Sequence, residues 1–340
     1  MPVYNVKDYL VRCINSLLKQ EFESYEIIIV DDGSTDGSGE ICNRYIENEK
    51  VYIIHKENGG LASARNMGLD FSSGEYILFV DSDDWIEQST LTFLNEEIEK
   101  NTYDGTTVDI IKYNYIRHEK GEKLFKSSAP IGIYTQKKIE KLLKLALCDA
   151  GKFCLSAWTY IYKSELLKNN NIKFISEREI GSEDYFFNFQ VMFHAKKIIV
   201  SDKALYHYDC RQGSLTQKYR KNLPEKYTLF YNKLINYTKK IGVYDLYISE
   251  ISYFYIWTLL YGTCLVNEYL ITENHSLKEG RKCVQKYLKY KELKFAEKNC
   301  YKDTLSFKQK IQMKAMLWGI EPLFYYLFYI KPQRINRKDY

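Results

Sequence analysis

No stretch of this 340-residue sequence stays apolar long enough to cross a bilayer. The first residues show no basic segment leading into an apolar one, the pattern of a secretory signal. None of the eight cysteines are spaced CxxC, and most sit within apolar helix or strand patterns. They therefore read as buried thiols of a reducing, cytoplasmic compartment. No predicted strand is followed by GxGxxG, which argues against a dinucleotide-binding Rossmann domain. The formal charge of +5 is too modest to point to nucleic acid. What the chain has is length for a substantial core, in one large domain or two smaller ones. It also has 32 tyrosines, weighted toward the second half.

The first hundred residues alternate regularly. Asn5 is placed to cap a helix whose apolar positions Val6, Leu10, Cys13, Ile14, Leu17 and Leu18 recur at helical spacing. Short apolar strands follow at Glu26–Val30 and Val51–His55, with helices around Ile41–Ile46 and Leu61–Phe71. Strand, helix, strand, helix, strand implies an α/β fold with a mostly parallel, doubly wound sheet. Right-handed crossovers put the loops after the strands on one edge. Pro2-Val3-Tyr4-Asn5 reads as the tail of a strand whose body is missing. We expect five to eight further strand residues ahead of Met1 in the working gene product, roughly one strand length.

The third run, Tyr76–Val80, is apolar enough to be buried on both faces. It ends in three carboxylates, Asp81, Asp83 and Asp84. Such charge at the mouth of a buried strand is costly unless a cation offsets it. Magnesium or manganese suits carboxylate oxygens, and open α/β sheets bind ligands at the carboxyl ends of strands. The competing reading is a solvated acidic turn. An EF-hand fits neither Asp81–Thr92, where Ile86 replaces the glycine and Thr92 the glutamate, nor the run from Asp32, where Asn43 replaces the glutamate.

Downstream, helices are expected at 87–100 and 135–147, a strand at 109–116, a hairpin turn at 119–122 and a strand or irregular wall at 153–162. Gly181-Ser182-Glu183-Asp184 opens a helix with acids in its first turn. Ala204–Tyr208 is a strand, and Arg211-Gln212-Gly213-Ser214 a loop. His207 is either structural or a metal contact, the former being commoner for a lone strand histidine. From Leu223 the pattern becomes long Tyr- and Lys-rich helices. Phe307–Ile330 mixes aromatics, aliphatics and lysines, with Pro322 interrupting it. It suits either a membrane-interfacial segment or a helix packed on the core.

Four motifs, PVYN, VDDGSTDGS, NGGLASARNMGL and FVDSDDW, stand in order at Pro2–Asn5, Val30–Ser38, Asn58–Leu69 and Phe79–Trp85. Together they resemble the family 2 inverting glycosyltransferases, which have the GT-A fold, Rossmann-like with flanking helices. The likeness is strong over residues 1–100 and weaker over 155–215. It implies a GT-A domain at 1–220, lacking most of its first strand, and a helical region at 221–340 that either lies in a membrane interface or packs on the core. It implies transfer of a sugar from a nucleotide-sugar, a UDP-sugar, to a glycan hydroxyl with inversion. Pro2, Tyr4, Asp31, Asp32, Arg65, Asp81, Arg211 and Ser214 would then serve the donor: Tyr4 stacks on the base, Asp31 and Asp32 pair with it, Arg65 meets base or phosphate, and Asp81 faces the ribose. Asp83, supported by Asp84, would bind Mn2+ or Mg2+. Asp184 would be the base, with Glu183 aiding its placement. Tyr160 stands where the family often has lysine, so no phosphate contact is assigned there. The implied acceptor is a lipid-linked surface glycan, as in capsule or exopolysaccharide synthesis, at the cytoplasmic face of the inner membrane. A nucleotidyltransferase, which should show a glycine-rich phosphate loop near the N-terminus, and a catalytically degenerate glycan-binding scaffold are the alternatives.

Overall fold

The computed structural model describes residues 1–340 except 104, 211–218, 271, 273–274, 301–306, 308–309 and 312–340. The chain divides into two units, Met1–Ser214 and Leu215–Tyr340.

In the first unit, β1 (Pro2–Val3), α1 (Lys7–Leu18), β2 (Ile27–Asp31), α2 (Ser38–Asn43), β3 (Val51–His55) and α3 (Leu61–Phe71) form three strand–helix repeats. The three strands make a parallel sheet in the order β1-β2-β3. Asn5 does not cap α1. It takes a left-handed conformation, φ 51°, and accepts the Thr35 N–H at 2.8 Å. The first N–H groups near α1 are met instead from the next loop: Val6 donates to Ser38 Oγ at 3.0 Å and Lys7 to Asp36 Oδ2 at 3.1 Å. A cap supplied from another segment satisfies the same orphan donors.

The chain continues with β4 (Tyr76–Leu78), β5 (Trp85–Ile86), α4 (Thr90–Asn101), β6 (Ile110–His118), β7 (Glu122–Phe125) and β8 (Gly132–Thr135). Then come α5 (Lys137–Cys148), α6 (Ala150–Phe153), β9 (Tyr160–Lys163), α7 (Ser164–Asn169), α8 (Glu177–Ile180), α9 (Glu183–His194) and β10 (Lys197–Asp209). These strands form a second sheet, ordered β4-β9-β6-β10-β5, with β7 on β6 and β8 on β10. It is mixed: β6 and β10 run parallel, while β4–β9, β6–β9 and β5–β10 are antiparallel. The run expected to be a strand buried on both faces is shorter. Only Tyr76–Leu78 is strand, it lies at the sheet edge, and all three residues are half-buried, whereas Phe79 and Val80 are buried. The main core joins Leu10, Ile14 and Ile29 to Val80, Tyr113, Trp158 and Tyr206.

The second unit is helical: α10 (Leu223–Lys240), α11 (Tyr244–Tyr253), a π-helical stretch (Phe254–Cys264), α12 (Leu265–Glu268), α13 (Leu277–Tyr287) and α14 (Lys291–Asn299). Among the described residues several of its tyrosines pack as core, including Tyr227, Tyr231, Tyr247 and Tyr255. Tyr231 stacks on Tyr255 with centroids 4.3 Å apart, and their hydroxyls reach Ser252 and Thr228. Burying the ring while satisfying the hydroxyl is how tyrosine serves a core. Among the described residues no helix is long and apolar enough to cross a membrane. The segment 307–330 lies outside the described residues apart from Phe307, Lys310 and Ile311. No cysteine is in a disulfide. Cys13, Cys42, Cys154, Cys264 and Cys300 are buried, Cys210 and Cys283 half-buried, and Cys148 exposed.

Candidate functional site

The acids that end β2 are buried and bound to loops. Asp31 lies 2.8 Å from His55 Nδ1 and accepts the Ser34 N–H at 3.0 Å. Asp32 accepts from Lys56 Nζ at 2.5 Å and from the N–H groups of Gly59 and Gly60 at 3.0 and 2.8 Å. Gly60 has φ +93°, and a Cβ there would sit 2.1 Å from Glu177 Oε1. Only glycine fits. The Glu177 carboxylate in turn accepts the Leu61 and Ala62 N–H groups at 3.2 and 3.1 Å. A negative charge is stabilised at that position by the orphan donors and dipole of α3. Pro2 is buried in its pairing with Val30, and Tyr4 beside it is 50% exposed, its ring available for stacking.

One turn into α3, Arg65 is a buried hub. Its guanidinium donates to Asp81 Oδ1 at 2.9 Å, Asp184 Oδ1 at 2.5 Å and Glu183 Oε1 at 3.4 Å. Its carbon lies 5.2 Å from the centre of the Phe174 ring. Nε is buried and makes no hydrogen bond, leaving one donor uncommitted. The second oxygen of Asp184 accepts the Ala157 N–H at 3.1 Å. One cation thus faces three carboxylates in a desolvated place. Burial, with Asp184 adding to it and Arg65 opposing, pushes Glu183 up to about 7. Burial also raises Asp184, against the pull of Arg65. Burial alone would lower Arg65, but Asp184, Asp81 and Glu183 more than offset it and hold it firmly charged.

The acids after β4 adjoin this hub. The Asp81 N–H donates to the Tyr206 hydroxyl oxygen at 3.1 Å, and that hydroxyl donates to Asp84 Oδ2 at 2.6 Å. The other Asp84 oxygen accepts the Asp209 N–H at 2.8 Å. Burial, then the charges of Asp83 and Asp81, push Asp84 up to about 9. Trp158 stacks on Tyr206 at 4.4 Å and fixes it. Arg12 donates to the Asp83 carbonyl at 2.7 Å and to Asp209 Oδ2 at 2.6 Å, and lies 3.9 Å over the Trp85 ring. Trp85 stacks on His207, whose ring nitrogens are both engaged, by Glu87 at 2.7 Å and His118 at 2.9 Å.

Arg65, Asp81, Glu183 and Asp184 therefore meet directly, with Asp83 and Asp84 beside them. Asp31, Asp32 and Tyr4 gather at the neighbouring loop, tied to the hub through the start of α3. Arg211 and Ser214 lie outside the described residues. Among the described residues, no group of three or more His, Cys, Asp or Glu is arranged to hold a metal ion. Arg12, Lys56, Glu177 and Tyr206 also shape the site, and the motif reading passed over them. Their partners are distant in sequence, up to 197 residues away for Arg12 and Asp209, so only the tertiary structure shows the pairing. Tyr206 alone left a trace, as a tyrosine in a strand with aromatic company.

Comparison with known proteins bears on the family and the fold. The family model described as glycosyl transferase family 2 matches residues 1–170. The putative glycosyltransferase EpsH of Bacillus subtilis is 30% identical over 281 residues, covering 82% of this chain and 79% of EpsH. The glycosyltransferase GlyA of Streptococcus pneumoniae is 35% identical over 262 residues, covering 72% of this chain; the match spans only 36% of GlyA. The crystal structure of S. aureus TarS 1–349 in complex with UDP-GlcNAc superposes with a TM-score of 0.66 at 23% identity, covering 94% of this chain and 87% of TarS 1–349, and so shares its fold. With the GT-A fold, the four motif loops and the relatives in agreement, the chain belongs to glycosyl transferase family 2.

Proposed function

We propose that this protein transfers a sugar from a UDP-sugar to a glycan hydroxyl, with inversion at the anomeric carbon, in the synthesis of a bacterial surface glycan. The observation that carries this reading is the meeting of Asp184, Glu183 and Asp81 on the buried Arg65. An inverting transfer needs one carboxylate to take the acceptor proton as that oxygen attacks. Asp184 is held by the Ala157 N–H and Arg65, and burial raises its proton affinity, as suits a base. Glu183, its neighbour, shares Arg65 and keeps Asp184 in place. On the donor side, Tyr4 offers an exposed ring for the base. Asp31 and Asp32 hold the loop that frames it, and the uncommitted Nε of Arg65 can donate to the nucleotide. Asp81 faces the ribose, and Arg211 and Ser214 are assigned to the diphosphate.

The three acids after β4 fit a hard divalent cation, Mn2+ or Mg2+. Burial first, then the nearby charges of Asp83 and Asp81, raise Asp84 to about 9, and a bound cation would relieve both. The absence of a three-ligand protein cage among the described residues is compatible, because such ions are commonly held by one or two carboxylates plus substrate phosphates. Asp83 would hold the ion and Asp84, braced by Tyr206, would support it. Bound there, it would neutralise the departing diphosphate.

The relative TarS is named a poly(ribitol-phosphate) beta-N-acetylglucosaminyltransferase, which supports a surface-polymer acceptor and a UDP donor. A lipid-linked acceptor at the cytoplasmic membrane face, reached through the basic carboxyl-terminal segment, completes the reading. Release of UDP from a panel of UDP-sugars, with and without Mn2+, tests it. Metal-dependent release that Asp184→Asn and Asp83→Asn abolish is expected. Full activity in either variant overturns the assignment, and incorporation of nucleotide rather than sugar points to a nucleotidyltransferase.

A further inference from the structure

The segment that leads into Glu183 and Asp184 is fastened to α3 at several points. Asn66 clasps the backbone of Phe174: its Nδ2 donates to the Phe174 carbonyl at 2.8 Å, and its Oδ1 accepts the Phe174 N–H at 2.9 Å. Next to this clasp, Lys173 pairs with Asp70 at 2.7 Å. Glu177 holds the Leu61 and Ala62 N–H groups at the amino end of the helix, and Arg178 donates to Asn58 Oδ1 at 2.5 Å. Between these holds Arg65 meets Glu183 and Asp184. The Phe174 ring lies flat on Phe187 of α9, centroids 3.9 Å apart, and Phe187 stands three residues beyond Asp184.

We propose that Asn66 and Glu177 are positioning residues for the transfer: by binding residues 174–180 to α3 they hold Asp184 against Arg65, aimed at the acceptor proton. The inference rests on the reading of Asp184 as the base. The need for such holds is electrostatic. Asp81, Glu183 and Asp184 bring three carboxylates to one guanidinium. The excess negative charge is out of water, which favours swinging the start of α9 toward solvent. Gly181, left-handed at φ 71°, makes the turn between α8 and α9 and has no side chain to resist that swing. Resistance comes from both sides of the turn: Glu177 ahead of it, and the clasped Phe174 packed on Phe187 behind it. Asn66 suits its place because a side-chain amide both donates and accepts, as the N–H and C=O of one residue require. Glu177 suits its place because the orphan N–H groups and dipole at the amino end of an 11-residue helix favour a carboxylate.

The test uses two near-isosteric changes. Asn66→Asp keeps the acceptor but sets a carboxylate oxygen against the Phe174 carbonyl, and Glu177→Gln removes the charge and one acceptor. UDP should bind both variants with unchanged stoichiometry and an affinity within about threefold by calorimetry. Meanwhile kcat should fall about tenfold in each and about 100-fold in the pair, the cost of misplacing a reacting group by about 1 Å. A double-mutant cycle separates positioning from general disorder. In an Asp184→Asn background the same changes should lower the residual rate by less than about twofold, because the group they position is gone. A full further loss there overturns the proposal. So does full activity in the pair when Asp184→Asn alone is inactive, which leaves the base reading standing. Full activity of Asp184→Asn removes the base reading, and this inference with it. Amide exchange on the unaltered protein needs no variant to fold. The Leu61, Ala62 and Phe174 N–H groups should exchange at least about tenfold more slowly than in an unstructured chain, and free exchange at all of them overturns the proposal.

Discussion

The segment from Tyr76 to Trp85 has two ends of opposite character. At its amino end the strand edge is apolar and half-buried, with a cleft beside it. At its carboxyl end the carboxylates of Asp81 and Asp84 are held, by Arg65 and by Tyr206 with the Asp209 N–H, and Arg12 holds the backbone carbonyl of Asp83. At the amino end, among the described residues, β4 pairs with β9 alone, and its side chains serve packing rather than chemistry. The carboxyl end gathers like charges that Arg65 offsets only at Asp81, which costs stability. Rigid support is concentrated where charge must be placed, and the adjacent strand edge is left open.

That contrast can be broken from the polar side. Asp184→Asn should lower kcat by about 100- to 10,000-fold, the range for loss of a general base, with Tm little changed; turnover assays and thermal unfolding check both. Arg65→Met should cost about 3–5 kcal/mol of stability, because it strands buried carboxylates without their cation; urea unfolding measures it. Tyr4→Ala should weaken UDP binding by about 1–3 kcal/mol, the worth of stacking on one base, while stability stays within about 0.5 kcal/mol, since the ring is half exposed; calorimetry separates the two. Tyr206→Phe should cost about 1–2 kcal/mol and loosen Mn2+ binding about tenfold, by releasing Asp84.

The smallest effect is one of pH. Glu183 binds its proton more tightly folded, at about 7, than unfolded, near its ordinary 4.5. The folded state therefore holds the extra proton between those values. Its contribution to stability is full below about 4.5 and is lost as pH rises through about 7. Glu183→Gln should flatten that part of the stability profile; an unchanged slope would assign it elsewhere.

The first hundred residues were the most legible part of the chain. Leu61–Phe71 and Val51–His55 fall where periodicity and propensity put them, because local apolar spacing decides both elements. Asp31, Asp32, Asp81, Asp83 and Asp84 were readable because they follow apolar runs at strand ends, whereas Glu183 and Asp184 were legible as acids in the first turn of a helix. The network that positions them was not. Arg12 meets Asp209, Glu177 meets α3, and Tyr206 meets Asp84 only through the fold. Asn5 was misread for the same reason, since a distant loop supplies the bonds it was expected to make. The edge position of β4 was hidden too. Five apolar residues in a row look alike whether a strand or a cleft lies alongside.

The distribution of thiols offers a practical handle. Burial drives Cys42 up to about 12 and Cys13 higher still, and both side chains are shielded, so neither should react with a maleimide at neutral pH. Cys148, exposed at the end of α5, is the position that a fluorescent dye should take first, ahead of the half-buried Cys210 and Cys283. Brief labelling should thus place a single optical reporter on the native chain, without cysteine-stripping mutations, for titrating nucleotide-sugars and for testing whether Mn2+ changes the signal.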